Sequence, residues 1–127
     1  MQGNATLISN ESEGPIVIGG NLTVNGDYRI NNNGANHNDL FTIGGNKIGL
    51  AVRGGVNYQT GSAIVNGGSH VKIGNCTSPT SSVAVNSGGI TEINPTGTPG
   101  TTPRILINTG QPASSVCANI FGNGTEK

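Results

Sequence analysis

The sequence predicts an all-β fold, a parallel β-solenoid of short coils that turn at Gly and Asn corners. Gly, Asn, Thr and Ser together supply half of the 127 residues, which is typical of a chain with many tight turns. The apolar residues fall in short, mostly β-branched packets with polar residues at alternate positions. Gly-Gly pairs recur between these packets and mark the predicted corners.

Eight packets carry the period of two that indicates β-strands. In chain order they cover residues 16–18, 22–24, 41–43, 48–52, 56–58, 71–73, 83–85 and 105–107. Each packet is soon followed by Gly or Asn. This ordered patterning, together with a charged fraction of only 9%, argues against a disordered chain.

The corners form a degenerate repeat. Gly-Gly pairs begin at positions 19, 44, 54, 67 and 88, and the segment 16–26 is echoed by 41–49. A strand, a Gly/Asn corner and a second strand make up the pattern of a β-solenoid, whose short strands pair in parallel with the coils above and below. A coil of roughly 20 to 25 residues predicts about five or six coils.

A β-sandwich of antiparallel hairpins is the alternative fold. It requires hairpin turns between paired strands, and two dipeptides suit such turns, Asn25-Gly26 and Asn66-Gly67.

Residues 1–127 are expected to form a single solenoid domain or a fragment of a longer one. Residues 94–103, rich in Pro, Gly and Thr, are predicted to form a loop, and residues 111–127 a C-terminal segment. The chain starts at Met1-Gln2 without a secretory signal, so we interpret it as a piece of a longer protein.

Charge and hydropathy exclude two classes of partner. The net charge is zero and the sequence holds no basic patch for phosphates, so no nucleic-acid partner is expected. No run of 18 apolar residues occurs, so no membrane span is expected.

The titratable residues do not form a catalytic or metal-binding pattern. The six carboxylates are interpreted as solvated groups at turns, and neither histidine has a second ligand at zinc spacing. We therefore expect no catalytic residue, no metal, no cofactor and no enzymatic activity. These residues are Glu11, Glu13, Asp27, Asp39, Glu92, Glu126, His37 and His70.

The first thirty residues resemble the choice-of-anchor A domain. The resemblance lies in a turn motif of Glu13, Gly14, Gly19, Gly20 and Asn21, and a later stretch, 71–77, resembles members from Bacteroidota. Domains of this family occur in secreted and surface-attached bacterial proteins that are often labelled adhesin-like or collagen-binding. The resemblance implies an extracellular or cell-surface scaffold, although the family domain is usually longer than this chain.

Cys76 and Cys117 are the only cysteines. An even count in a chain that looks secreted predicts a disulfide between them, which would clip the C-terminal segment onto the solenoid.

The function predicted from the sequence is a non-enzymatic structural or adhesive module. Its partner would be an extracellular ligand, either a matrix protein or a glycan, or further copies of the chain in a fibre.

Two other functions fit a β-solenoid. An ice-binding face would use the evenly spaced Thr23, Thr42 and Thr60. A carbohydrate-binding or carbohydrate-active β-helix would use Tyr28 and Tyr58.

Overall fold

The computed structural model describes residues 3–12, 14–31, 42–43, 46–66, 68–75, 82–85, 90–96, 100, 102–108, 111 and 113–117. These residues form β-strands and one short α-helix. The elements are β1 (Ala5–Leu7), β2 (Asn10–Glu11), β3 (Ile16–Ile18), β4 (Leu22–Asn25), β5 (Tyr28–Ile30), β6 (Thr42–Ile43), β7 (Asn46–Val52), β8 (Val56–Thr60), β9 (Ser62–Val65), β10 (His70–Ile73), β11 (Ser82–Val85), β12 (Thr91–Asn94), β13 (Arg104–Ile107) and α1 (Ala113–Val116).

Successive strands lie on three different sheets, each built by parallel pairing between coils. Sheet A has the order β1-β4-β8, and sheet C contains β3-β7-β10. Sheet B begins with β2-β5-β9-β13. A chain that visits sheets A, B and C in turn and then stacks on itself is a β-solenoid, so the predicted fold is confirmed.

The described residues contain three full coils, which is fewer than the sequence predicts. Coil 1 comprises β1, β2 and β3; coil 2 comprises β4, β5 and β7; coil 3 comprises β8, β9 and β10. Two long connections, between β5 and β7 and between β10 and β13, add no further full coil in the parts that the structure describes. The repeat is degenerate in sequence for this reason.

The sandwich alternative is wrong. Asn25-Gly26 joins β4 to β5, which belong to different sheets, and Asn66 follows β9 but leads to β10 on another sheet. Among the described residues, antiparallel pairing is confined to β6 with β7 and to β11, β12 and β13.

Alternation along each strand sends apolar side chains into one core enclosed by the three sheets. In sheet A, Leu7, Val24 and Tyr58 are in register, and in sheet C, Ile18, Val52 and Ile73 are in register. The buried cluster consists of Leu7, Ile18, Leu22, Val24, Ile30, Leu50, Val52, Val56, Ala63, Val65, Val71, Ile73, Ile93, Ile105, Ile107 and Val116.

The corner between sheets A and B depends on two stacked glycines. Gly26 and Gly61 have positive φ angles of 135° and 77°. A Cβ on Gly61 would lie 2.7 Å from Gly26 Cα, closer than real atoms approach. The same close approach allows Gly26 N–H to donate to the Thr60 carbonyl at 2.9 Å.

Later parts of the chain cover coil 3 on sheets B and C. On sheet B, β13 pairs with β9, and β12 and β11 extend the sheet. On sheet C, the buried side-chain amide of Gln111 pairs with the backbone of Val71. Val71 N–H donates to Oε1 at 2.8 Å, and Nε2 donates to the Val71 carbonyl at 2.9 Å. Val116 of α1 is fully buried in the core, so Gln111 and α1 together form a cap, termed the C-terminal cap below.

Part of the predicted loop 94–103 is fastened to sheet B by Glu92, whose carboxylate is fully buried. It accepts hydrogen bonds from Arg104 Nη1 at 3.0 Å, from Gly100 N–H at 3.0 Å and from Asn94 Nδ2 at 2.7 Å. Such charge-assisted bonds compensate the loss of hydration on burial.

The stacked corner predicts unequal effects of two Gly→Ala substitutions. Gly61 and Gly68 both have positive φ, so Ala at either position costs about 1–2 kcal/mol of backbone strain. Gly68 has open space around it, whereas Gly61 abuts Gly26. We expect Gly61→Ala to be less stable than Gly68→Ala by about a further 1–3 kcal/mol. Urea unfolding followed by circular dichroism measures the difference, and equal losses would contradict the stacked-corner account.

Candidate functional site

The outer face of sheet A presents aligned polar side chains. Thr6, Thr23 and Asn57 occupy equivalent positions on β1, β4 and β8, and their neighbours along each strand point into the core. Thr6 and Asn57 are exposed, and Thr23 is half-buried. Parallel strands lie about 4.8 Å apart, so these side chains form an evenly spaced row.

A second row lies beside the first. Asn25 and Thr60 are register partners after a shift in the pairing of β4 and β8, and Thr60 Oγ1 donates to Asn25 Oδ1 at 3.0 Å. Ile8, directly after β1, adds an exposed apolar side chain. We call Thr6, Thr23, Asn57, Asn25 and Thr60 the A-face. It contains hydroxyl and amide groups only, so it can donate and accept hydrogen bonds without carrying charge.

The corner that leads into sheet A is held by asparagine side chains. Asn21 N–H donates to Asn4 Oδ1 at 2.7 Å, and Gly55 N–H donates to Asn21 Oδ1 at 2.9 Å. A Cβ on Gly20 would overlap Asn4 Oδ1, and a Cβ on Gly54 would overlap Asn21 Oδ1. The asparagines therefore connect one coil to the next and fix the register of the A-face.

The predicted turn motif is split by this arrangement. Gly20 and Asn21 form the corner just described, and Gly19 lies in an exposed bend beside it. Gly14 lies in a separate turn, where its carbonyl accepts a hydrogen bond from Ser12 Oγ at 3.1 Å. Glu13 lies outside the described residues. The described residues of the motif therefore form a corner and a turn of the fold.

The even spacing of Thr23, Thr42 and Thr60 does not produce an aligned row. Thr23 aligns with Thr6 and Asn57, whereas Thr60 aligns with Asn25. Thr42 lies on β6, which pairs antiparallel with β7. The prediction of this row is wrong because sequence spacing does not account for the long connection between β5 and β7.

The two tyrosines do not form an exposed platform for sugars. Tyr28 and Tyr58 are half-buried and pack against the core. The carbohydrate alternative that used their rings stays a prediction, with only part of each ring exposed. Their register with Val24 and Ala63 places them inward, and no signal in the sequence gives that register.

The described carboxylates are spread over the structure. Asp27 Oδ1 accepts a hydrogen bond from Ser62 N–H at 3.0 Å, and Glu92 is held by Arg104. Glu11 is exposed on β2. Within the described parts of the chain, no three His, Cys, Asp or Glu residues come together as a metal site. The remaining predicted titratable residues, Asp39, Glu126 and His37, lie outside the described residues.

Two basic side chains of β10 lie near the C-terminal cap. Burial lowers the pKa of His70, and the positive charge of Lys72 lowers it further. His70 Nδ1 is buried with no hydrogen-bond partner in the described structure. Burial also lowers the pKa of Lys72, whose ammonium donates to the Ser115 carbonyl at 2.6 Å.

The lowered pKa of His70 predicts a loss of stability in acid. The unfolded chain titrates near 6.5 and the folded chain below it, so the unfolded state binds more protons between these values. The stability associated with neutral His70 is full above about pH 6.5 and falls as the pH drops towards the folded pKa. We expect His70→Gln to lose less stability than the native chain between about pH 7.5 and pH 5.

Urea midpoints across this pH range measure the effect, with His37→Gln as the control for removing a histidine. If the stability of His70→Gln fell with decreasing pH as steeply as that of the native chain, the lowered pKa of His70 would not be the cause of the loss in acid.

The predicted disulfide joins parts of the chain near the C-terminal cap. Cys117 directly follows α1 and packs against the core, whereas Cys76 lies outside the described residues. Asn75, next to Cys76, donates its N–H to the Gly54 carbonyl at 3.1 Å, just beyond β10. Because α1 packs on β10, the pairing of Cys76 with Cys117 stays a prediction that suits this part of the fold.

Thiol titration tests the pairing. We expect the unfolded, unreduced chain to show no free thiol and the reduced chain to show two. Closing a loop of this length stabilises the fold by about 4 kcal/mol on a loop-entropy argument, so reduction should lower the urea midpoint. Two thiols that react without a reductant would rule the disulfide out.

Comparison with known proteins gives one family. The family model described as "Putative Ice-binding-like adhesive domain" matches residues 1–123. No curated protein and no solved structure matches the chain. The match supports an adhesin-like domain, which is the general part of the resemblance to choice-of-anchor A, and it does not single out that family. No helix among the described residues is long and apolar enough to cross a membrane.

Proposed function

The chain belongs to the ice-binding-like adhesive domain family, and on this premise we propose that it is a non-enzymatic adhesive module that acts outside the cell through the A-face. The observation that carries the proposal is the register of Thr6, Thr23 and Asn57 on three adjacent strands. Asparagine hydrogen bonds at the corner hold these strands in place, so the face is preorganised for binding.

A binding role without catalysis is supported by how the described carboxylates are used. Glu92 is buried against Arg104, and Asp27 accepts a backbone hydrogen bond of the same sheet. Glycoside hydrolysis uses two carboxyl groups on either side of the sugar, and the A-face contains no titratable side chain.

The chemistry of the A-face favours a neutral, hydroxyl-rich surface as the ligand. Hydroxyl and amide groups can exchange hydrogen bonds with the hydroxyls of a polysaccharide without desolvating a charge. A matrix protein is the less favoured partner, because protein interfaces depend on aromatic and Arg anchors. Ile8 is the only large apolar side chain exposed beside the face in the described structure.

Ice is the second candidate ligand. The row of Thr6, Thr23 and Asn57 gives a regular array of small polar groups about 4.8 Å apart, and the family's description refers to ice binding. The Thr residues of this array differ from those predicted by sequence spacing, since Thr42 is not part of it.

The remaining parts of the functional prediction are proposals that differ in how many observations support them. A cell-surface location is supported by the adhesive family. Membership of the choice-of-anchor A family has only the motif residues in its favour. Growth into fibres requires strand edges that can pair with a further copy. The C-terminal cap occupies the edge of β10, whereas β8 pairs with β4 alone in the described structure.

Two Thr→Lys variants test the A-face. Thr23→Lys places a charge in the middle of the row, whereas Thr102→Lys makes the same change at an exposed position off sheet A. We expect the native chain and Thr102→Lys to bind insoluble cellulose equally, and Thr23→Lys to bind at least about tenfold more weakly. Depletion of protein from solution over suspended cellulose measures the affinity.

The same three proteins, assayed for incorporation into growing ice, separate the two ligands. Binding to ice but not to cellulose would favour the second candidate. Equal binding by Thr23→Lys and Thr102→Lys would contradict a role for the A-face with either ligand.

A further inference from the structure

An apolar side chain extends the second row of the A-face. Ile8, Asn25 and Thr60 lie on or directly after β1, β4 and β8, the three strands of sheet A. Asn25 and Thr60 are register partners. A Cβ on Gly26, the residue after Asn25, would lie 3.7 Å from the carbonyl carbon of Ile8, so Ile8 lies beside Asn25 on the side of coil 1. The order across the sheet is therefore Ile8, Asn25 and Thr60.

A hydrogen bond fixes the polarity of the two polar members of this row. Thr60 Oγ1 donates its hydrogen to Asn25 Oδ1 at 3.0 Å, so the Thr60 hydroxyl can only accept a bond from a ligand. Asn25 Nδ2 has no partner in the described structure and is not buried, so it is available as a donor. Read across the sheet, the row presents an apolar group, then a donor, then an acceptor.

The apolar end of the row restricts the chemistry of the ligand. Ile8 is 59% exposed, more than any other large hydrophobic residue in the described structure. A sugar that carries hydroxyls alone would lose hydration beside this side chain without forming a hydrogen bond there. A ligand that places a methyl group against Ile8 would instead remove apolar surface from water on both sides of the contact.

An acetamido group on a sugar ring combines the three features that the row requires. Its methyl group is apolar, its carbonyl oxygen accepts a hydrogen bond, and the ring hydroxyls lie on the far side of the carbonyl from the methyl group. The group is also neutral, so it requires no countercharge on a face that contains hydroxyl and amide groups only.

We propose that this row recognises the acetamido group of an N-acetylated amino sugar, and that the polysaccharide bound by the A-face is a polymer of such sugars. The methyl group packs on Ile8, the carbonyl oxygen accepts a hydrogen bond from Asn25 Nδ2, and a ring hydroxyl donates to Thr60 Oγ1. This inference rests on the proposed adhesive role of the A-face and narrows its ligand to one class of polysaccharide.

Two polymers with the same backbone linkage test the proposal. Chitin and cellulose differ in one ring substituent, which is an acetamido group in chitin and a hydroxyl in cellulose. We expect the native chain to bind soluble chitin oligomers at least about tenfold more tightly than cellulose oligomers of equal length. Titration followed by nuclear magnetic resonance measures both affinities, and the side-chain amide signals of Asn25 should shift with the chitin oligomer.

An Asn→Asp substitution removes the donor and keeps the acceptor. In Asn25→Asp the carboxylate still accepts the hydrogen bond from Thr60, but no N–H remains for the ligand. Asn10→Asp is the matched control, because Asn10 is exposed on sheet B and its Oδ1 likewise accepts a hydrogen bond, from Glu11 N–H at 2.8 Å. We expect Asn25→Asp to reduce the preference for chitin to less than about twofold and Asn10→Asp to retain it.

An apolar-to-polar substitution tests the contact with the methyl group. Ile8→Thr keeps the branched shape at Cβ and removes most of the apolar surface. Val17→Thr is its control, since Val17 is 40% exposed but lies on β3 of sheet C. We expect Ile8→Thr to lower the preference for chitin by at least about threefold and Val17→Thr to leave it unchanged.

The outcomes separate this inference from the adhesive role on which it rests. Equal binding of the two oligomers by the native chain would overturn recognition of the acetamido group and leave polysaccharide binding by the A-face intact. A preference for chitin that survives in both Asn25→Asp and Ile8→Thr would overturn the assignment to this row. Binding to neither oligomer would overturn both proposals and leave ice or a protein as the ligand.

Discussion

The close stacking of successive coils at their corners is the constraint on which the rest of the structure depends. Parallel strands lie one strand spacing apart, about 4.8 Å, and the chain must turn within that distance. Gly20 and Gly54 have no Cβ, and the space is taken by the side chains of Asn4 and Asn21. Each asparagine oxygen accepts a backbone N–H of the next coil, so the contact that demands glycine also supplies the hydrogen bond.

Fixed corners set the register of all three sheets, and the register then determines which side chains are buried. Most buried positions are apolar, but coil 3 and the segments after it also bury Lys72, Glu92 and Gln111. Each of the three has a partner: the Ser115 carbonyl, Arg104 and the Val71 backbone. The contacts of Lys72 and Gln111 fasten later segments onto β10 of coil 3, whereas Glu92 ties β12 to β13, so each buried polar group fixes a segment that the apolar core alone does not hold.

The sequence was sufficient to predict the fold class, because packets such as 22–24 and 56–58 alternate and Gly-Gly pairs punctuate them. It was not sufficient to predict which side chains align. Thr23 pairs with Asn57, which lies three residues before Thr60, so Thr23 and Thr60 belong to different rows. The sequence analysis also missed the role of Gln111, whose side-chain amide forms two hydrogen bonds with the backbone of Val71, as a neighbouring strand would. A single residue in this role leaves no periodic pattern in the sequence. Local patterns reveal strands and corners, whereas rows and caps arise from contacts between distant residues.

Register, and not spacing along the chain, therefore determines what such a protein can present to a ligand. The connection between β5 and β7 is much longer than that between β2 and β3, yet Leu50 of β7 still aligns with Ile16 and Val71. A long connection between coils leaves the faces intact because it leaves the corner contacts intact. The A-face then owes its regularity to corners that carry no binding group themselves. A substitution at Asn21 would disturb the alignment of Thr23 although Asn21 belongs to neither row.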